Sequence, residues 1–299
     1  MLAFLLPRVH FASLIPQGQS STVPWLILGL LVWFGAIVLA TLRWQRVLAA
    51  LSMPAAFPPL LAHSLAGLFV ANFLPSTVGG DVLRVVRLSA VNGEAPASFA
   101  SVALERLTGF LVLPVLALGA LLLRPSLLHL GTASHLVVVL SLGTLAALVC
   151  ILALAANPRL GGRLAGHASW LRFVGAVHLG LERIRRRPAA IASVLGVAFV
   201  YQLTVVAAAW VAAQVLGIHV GWIAMTAVIP VVAIAQVLPI SVGGLGLREG
   251  ALVLLLHPLG VGATKATALG LLLYAINLVV SLLGAPAFAV GPRDARAMA

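Results

Sequence analysis

Apolar residues fill seven stretches of the chain, at about 23–42, 58–74, 98–123, 134–156, 189–216, 222–238 and 264–290. Each is continuous rather than alternating, and most approach the roughly 20 residues a helix needs to cross the hydrocarbon of a bilayer. A membrane barrel would instead show segments of about ten alternating residues. The pattern predicts an all-α, polytopic helical membrane protein. Two stretches, 58–74 and 222–238, are short, and each leads into a second short apolar helix that carries charge, at about 81–91 and 246–257.

The breaks within these two pairs share one sequence. Residues 71–88 read ANFLPSTVGGDVLRVVRL and residues 235–252 read AQVLPISVGGLGLREGAL. With an offset of 164, Pro75 falls on Pro239, Gly79 and Gly80 on Gly243 and Gly244, and Arg84 on Arg248. The same offset places 23–42 over 187–206 and 98–123 over 262–287. The expected domain organisation is one transmembrane domain of two repeats, 1–133 and 134–299. The second repeat implies a helix before residue 1 of which only MLAFLL remains, through loss of a first helix or a truncated start.

Charge sets the expected orientation. Seven arginines against the single Glu182 lie between Asn157 and Pro188, which places that loop on the cytoplasmic side of an inner membrane. If 58–74 crossed fully, Arg43 and Arg46 would face outward; if it dips in and returns along 81–91, both fall on the cytoplasmic side. The second pair then enters from the opposite face, and the C-terminus, with Arg293 and Arg296, is cytoplasmic. The expectation is an inverted-topology repeat with re-entrant broken helices, a plan common among secondary transporters.

With 62% hydrophobic and 8% charged residues, the chain has too little polar surface to cover a soluble globule of 299 residues. The formal charge of +12 is carried between apolar spans, without a soluble basic domain, so no nucleic-acid partner is expected. The one cysteine, Cys150, lies in an apolar run, which excludes disulfides and Cys-based metal sites. No GxSxG, HExxH or P-loop is present, and six acidic residues leave few paired carboxylates, so neither an enzyme nor a cofactor is expected.

A Pro beside a Gly pair breaks a helix and leaves N–H groups unpaired at the start of the next one, where the helix dipole favours an anion. The substrate-binding candidates are therefore Gly79, Gly80, Gly243 and Gly244, with Arg84 and Arg248 one turn further on offering guanidinium geometry suited to phosphate. Asp81, Arg87, Glu105, Arg106 and Glu249 are the remaining charges expected within the membrane, as gating groups or structural ion pairs. Glu105 should meet Arg84 or Arg106. His63 and His257 read first as core histidines. Asn72, Gln236, Tyr201, Gln202 and Asn277 either line a cavity or link helices. The tryptophans, Trp44 among them, read mostly as interface anchors, and the basic amphipathic stretch 169–187 as a segment on the cytoplasmic leaflet.

Four motifs in order, LRW at 42–44, NFLPSTVGGDVLR at 72–84, LERLTG at 104–109 and LPISVGGLGLREG at 238–250, resemble the lysylphosphatidylglycerol synthase transmembrane-region family, the flippase-like domain, over essentially the whole chain. The resemblance implies movement of lipids between leaflets, with Arg84, Glu105, Arg106, Arg248 and Glu249 as the positions carried over, and the expectation is a stand-alone member without a synthase domain. The expected cargo is an anionic or phosphate-containing membrane lipid, whether aminoacylated, glycosylated or polyprenyl-linked. The alternative is a non-catalytic membrane partner of a lipid-modifying synthase or glycosyltransferase.

Overall fold

The computed structural model describes residues 22–73, 78–156, 178, 188–237, 244 and 246–290. These residues are predominantly helical, with no strand among them. Helix α1 spans Thr22–Ala50, α2 Phe57–Phe73, α3 Val78–Asn92, α4 Ala95–Leu123, α5 Thr132–Ala156 and α6 Pro188–Val215. They are followed by α7, Trp222–Ala235, α8, Leu247–Leu256, α9, Ala263–Ser281, and α10, Gly284–Val290. Among the described residues five helices, α1, α4, α5, α6 and α9, are long and apolar enough to cross a membrane. The short pairs α2–α3 and α7–α8 stand where the broken stretches were expected.

Two boundaries differ from the sequence expectation. Helix α1 continues eight residues past position 42, because Trp44, Val47, Leu48 and Leu51 recur at helical spacing and all are buried. Arg43 therefore lies on a helix, only 4% exposed, and does not report membrane side as a loop arginine would; Arg46 on the same turn is exposed. The stretch expected as one helix over 264–290 breaks at 282–283, and α10 begins at Gly284. A Cβ at Gly284 would lie 2.1 Å from the Leu65 carbonyl oxygen, so this residue lets α10 seat its backbone directly on α2.

The chain forms two compact units, Met1–Ala36 with Leu113–Thr144 and Gln202–Val280, and Ile37–Val112 with Leu145–Tyr201 and Ser281–Ala299. Helices α1, α4, α5 and α6 each contribute one part to either unit, so the units are not consecutive halves of the sequence. The first unit holds α7, α8 and α9 around a core that includes Met225, Val228, Leu252, Leu256 and Leu269. Helix α7 is buried along nearly its whole length, as an all-apolar helix requires. The second unit holds α2, α3 and α10, with Trp44, Leu48, Leu60, Leu88 and Val102 in one of its cores. There α2 is only partly buried, and Val82 and Val86 of α3 are more than half exposed.

Candidate functional site

Within the second unit, α2 and α3 run antiparallel along a seam made by glycines. A Cβ at Gly80 would fall 2.3 Å from the Gly67 carbonyl oxygen and 3.1 Å from the Ala71 Cβ, so both backbones need the missing side chains. One turn along, the aliphatic stem of Arg84 lies over Gly67. In that register Arg87, a further turn along α3, comes level with His63 on α2. Helix α3 begins at Val78, which places Gly79 and Gly80 in its first turn rather than in a loop. Their N–H groups are among those a helix start leaves without an intrahelical partner.

The Arg84 guanidinium sits 4.1 Å from the centre of the Trp44 ring. Its Nη1 donates to Glu105 Oε2 at 3.2 Å and to Asp81 Oδ1 at 3.3 Å. The other oxygen of Glu105 accepts from Arg43 Nη2. Gly109, one helical turn after Glu105, leaves space for the Arg43 guanidinium, and Tyr201 lies beneath it with its ring centre 4.7 Å away. Arg106 donates from Nε and Nη2 to the two Asp81 oxygens, both at 2.8 Å, with half its side chain exposed. Three guanidiniums thus share two carboxylates, which leaves positive charge in excess.

That excess is accompanied by unused donors. Arg43 Nε and Nη1 and Arg84 Nε are buried without a hydrogen-bond partner. Arg87 is not ion-paired among the described residues: it donates to the backbone carbonyls of Ala287 at 2.8 Å and Phe288 at 3.0 Å, and its Nε is unpartnered. An apolar pocket of ≈ 440 Å³ is lined by Phe69, Val70, Gly79, Val82, Leu83, Val86 and Phe288, the last being the residue whose carbonyl accepts from Arg87. Cationic donors and an apolar cleft share α3, an arrangement suited to an amphiphile with an anionic head.

The second copy of the motif, in the first unit, is built differently. Arg248 donates from Nε at 3.1 Å and Nη2 at 2.9 Å to Oε1 of its neighbour Glu249, and lies 5.3 Å from the centre of the Tyr274 ring. Glu249 Oε2 accepts the N–H of Gly246, the residue capping α8 at φ +84. The protein's own carboxylate therefore occupies this helix start and neutralises the arginine together. Glu249 is seated against Gly270 of α9, where an added Cβ would come within 2.9 Å of its Cγ. By the offset of 164, Gly270 matches Arg106, next to the position of Glu105. The counterparts of Arg43, His63 and Arg87 are Ala207, Ala227 and Ala251.

The structure thus brings together Asp81, Arg84, Glu105 and Arg106 in one unit, and Arg248 with Glu249 in the other. Of Glu105's expected partners Arg84 bonds it, whereas Arg106 bonds Asp81. Gly80 serves the α2–α3 seam and Gly244, at φ +76 and against Gln236, serves a turn that L side chains resist. Gly243, Pro75, Pro239, the stretch 169–187 apart from His178, and nearly all of the arginine-rich loop lie outside the described residues. Arg43 and Trp44 were missed as site residues. Trp44 is no interface anchor: it is fully buried and donates its Nε1 hydrogen to Ser101. Of the polar cavity candidates, Tyr201 faces Arg43, Asn277 accepts from Trp33, and Asn72 and Gln236 bond backbone carbonyls four residues earlier. No group of three or more metal-ligating residues occurs among the described residues.

No curated protein matches the chain. Residues 1–284 match the family described as the Lysylphosphatidylglycerol synthase TM region, so the chain belongs to that family, a membrane domain linked to lipid handling.

Proposed function

We propose, with that membership as the premise, that this multi-pass membrane protein is a non-catalytic transporter that moves an anionic or phosphate-containing lipid between leaflets. One observation carries the reading: buried guanidinium N–H groups of Arg43 and Arg84 stand unpartnered in a cluster where arginines outnumber carboxylates. A charge buried at membrane depth is costly and marks an ion pair or a substrate path, and the phosphate of a lipid accepts bidentate donation from arginine. The neighbouring pocket, apolar along its lining, suits an acyl or polyprenyl chain.

In this mechanism the head group exchanges with Glu105 and Asp81 for the guanidiniums of Arg84 and Arg43. The carboxylates hold the arginines between transport events and compete the lipid off as the cavity switches. The two short helix pairs act as inverted, re-entrant gates, one for each face. We place the protein in an inner membrane with the segment 157–188 and the C-terminus cytoplasmic, on the density of arginine in that segment.

The test is leaflet exchange of labelled phosphatidylglycerol in vesicles carrying the purified protein. Arg84→Ala is expected to lower the exchange rate at least tenfold, in line with the loss of about 1.4 kcal/mol or more from a charge-assisted bond. Unchanged exchange would refute the site. Wild-type protein that moves no lipid but co-purifies with a lipid-modifying enzyme would favour the membrane-partner reading.

A further inference from the structure

Arg87 stands apart from the cluster just described. It is 4% exposed, it has no carboxylate partner among the described residues, and its two hydrogen bonds go to neutral carbonyls of Ala287 and Phe288. Those carbonyls belong to the last turn of α10, where helix C=O groups lack intrahelical partners and carry the negative end of the helix dipole. The contact is reinforced by the Phe69 and Phe288 rings, 5.9 Å apart, and by the seat of Gly284 on Leu65. Beside Arg87 on the α2–α3 seam, His63 is 6% exposed with its Nδ1 buried and unpartnered, close enough to Arg87 and Arg84 to feel both charges.

We propose that Arg87 and His63 form a binding site for a phosphate-type oxyanion, and that α10 is a latch whose carbonyls hold the place of that anion until it arrives. A phosphate-type anion brings a full negative charge and a bidentate face that a neutral carbonyl lacks, so an anion at Arg87 displaces the carbonyls. Arg87 Nε is a donor that the latch leaves unused, and His63 Nδ1, also without a partner, is a second in the tautomer that carries its hydrogen there. Phe288 both offers a carbonyl to Arg87 and lines the apolar pocket, so loss of the Arg87 contact frees one wall of that pocket. Anion binding and opening of the apolar cleft become a single event, because the ligand shifts the latch only through its preference for the released state. The inference rests on the transport reading for the class of ligand, a lipid phosphate, although the chemistry is equally that of free phosphate.

The experiment measures the latch directly. In the full chain with Cys150→Ser, Phe69→Cys and Phe288→Cys are joined by a short thiol-reactive cross-linker in detergent, with phosphatidylglycerol, diacylglycerol or inorganic phosphate added. Phosphatidylglycerol is expected to lower the cross-linked fraction about fivefold or more, and diacylglycerol to leave it unchanged. A matching response to inorganic phosphate identifies the anion alone as sufficient; a response to the lipid only identifies the head group as the source. His63→Ala, which leaves both Arg87 bonds to α10 in place, is expected to keep the ligand-free yield and blunt the response. Arg87→Gln is expected to lower the ligand-free yield, and should that variant not fold, the His63 comparison still decides.

No response to either anion, an equal response to diacylglycerol, or a full response in His63→Ala overturns the proposal. Leaflet exchange in the same preparations separates the two readings. A latch that responds in a protein that moves no lipid refutes transport alone, and transport with an unresponsive latch refutes the latch alone.

Discussion

The two copies of the LP…VGG…R motif both put an arginine over an aromatic ring and against a carboxylate, yet they obtain the carboxylate from different places. Arg248 takes it from the next residue, Glu249, which also caps α8, so the second copy is neutral and closed on itself. Arg84 bonds Asp81 of its own helix and Glu105 on another, and shares Glu105 with Arg43. Where the first copy carries Arg43, His63 and Arg87, the second has alanines. Helix α7 is buried almost throughout, while α2 and α3 remain partly exposed beside an apolar pocket. Equal sequence motifs therefore do not mean equal sites: one copy is charge-neutral, and the other holds charge in excess.

The sharpest way to break this contrast is to remove Glu105. Glu105→Ala strands the buried Arg43 guanidinium, leaves Arg84 only its bond to Asp81, and is expected to cost about 3–5 kcal/mol, as broken buried pairs do, read as a large fall in the detergent unfolding midpoint. Next comes Arg248→Met, which strands Glu249 and should cost about 3 kcal/mol. Adding Glu249→Gln keeps an acceptor for the Gly246 N–H and should recover most of that loss, while leaflet exchange stays near wild type. If exchange collapses in the recovered double variant, the second copy is a site after all.

A smaller effect tests the seam. Gly80→Ala pushes a methyl into the Gly67 carbonyl and should cost about 1–3 kcal/mol, whereas Gly196→Ala, with nothing within 4 Å of its added Cβ, should be neutral or stabilising by up to about 1 kcal/mol. Smallest is Arg106→Gln. Its side chain is 49% exposed, so the pair with Asp81 is worth about 1 kcal/mol or less and should weaken further with salt.

Much of this was legible in the sequence because the physics is local. Spans follow from unbroken apolar length, and the short pairs from Pro beside Gly-Gly, so helix boundaries fell within a few residues for α2, α5 and α7. That Glu105 meets an arginine, Arg84 or Arg106, followed from the expense of a buried charge; the structure selects Arg84. Arg43 was read as a loop residue because the apolar run fades after 42. The signal was the spacing of Trp44, Val47, Leu48 and Leu51, which carries the helix on to Ala50. The Arg87 contact had no such signal, since its acceptors are backbone oxygens 200 residues away that no side-chain identity reveals.

The neighbouring placement of Arg248 and Glu249 also bears on how the chain enters a bilayer. Two opposite charges on adjacent residues reach the insertion machinery together, and the segment around α8 presents no net charge when it partitions. Residues 57–92 instead carry Arg84 and Arg87 against Asp81 alone, and Glu105, which Arg84 needs, is made only afterwards. Nascent chains that end before α4 should consequently leave the first pair outside the hydrocarbon, while chains that end after α8 already contain everything needed to balance the second.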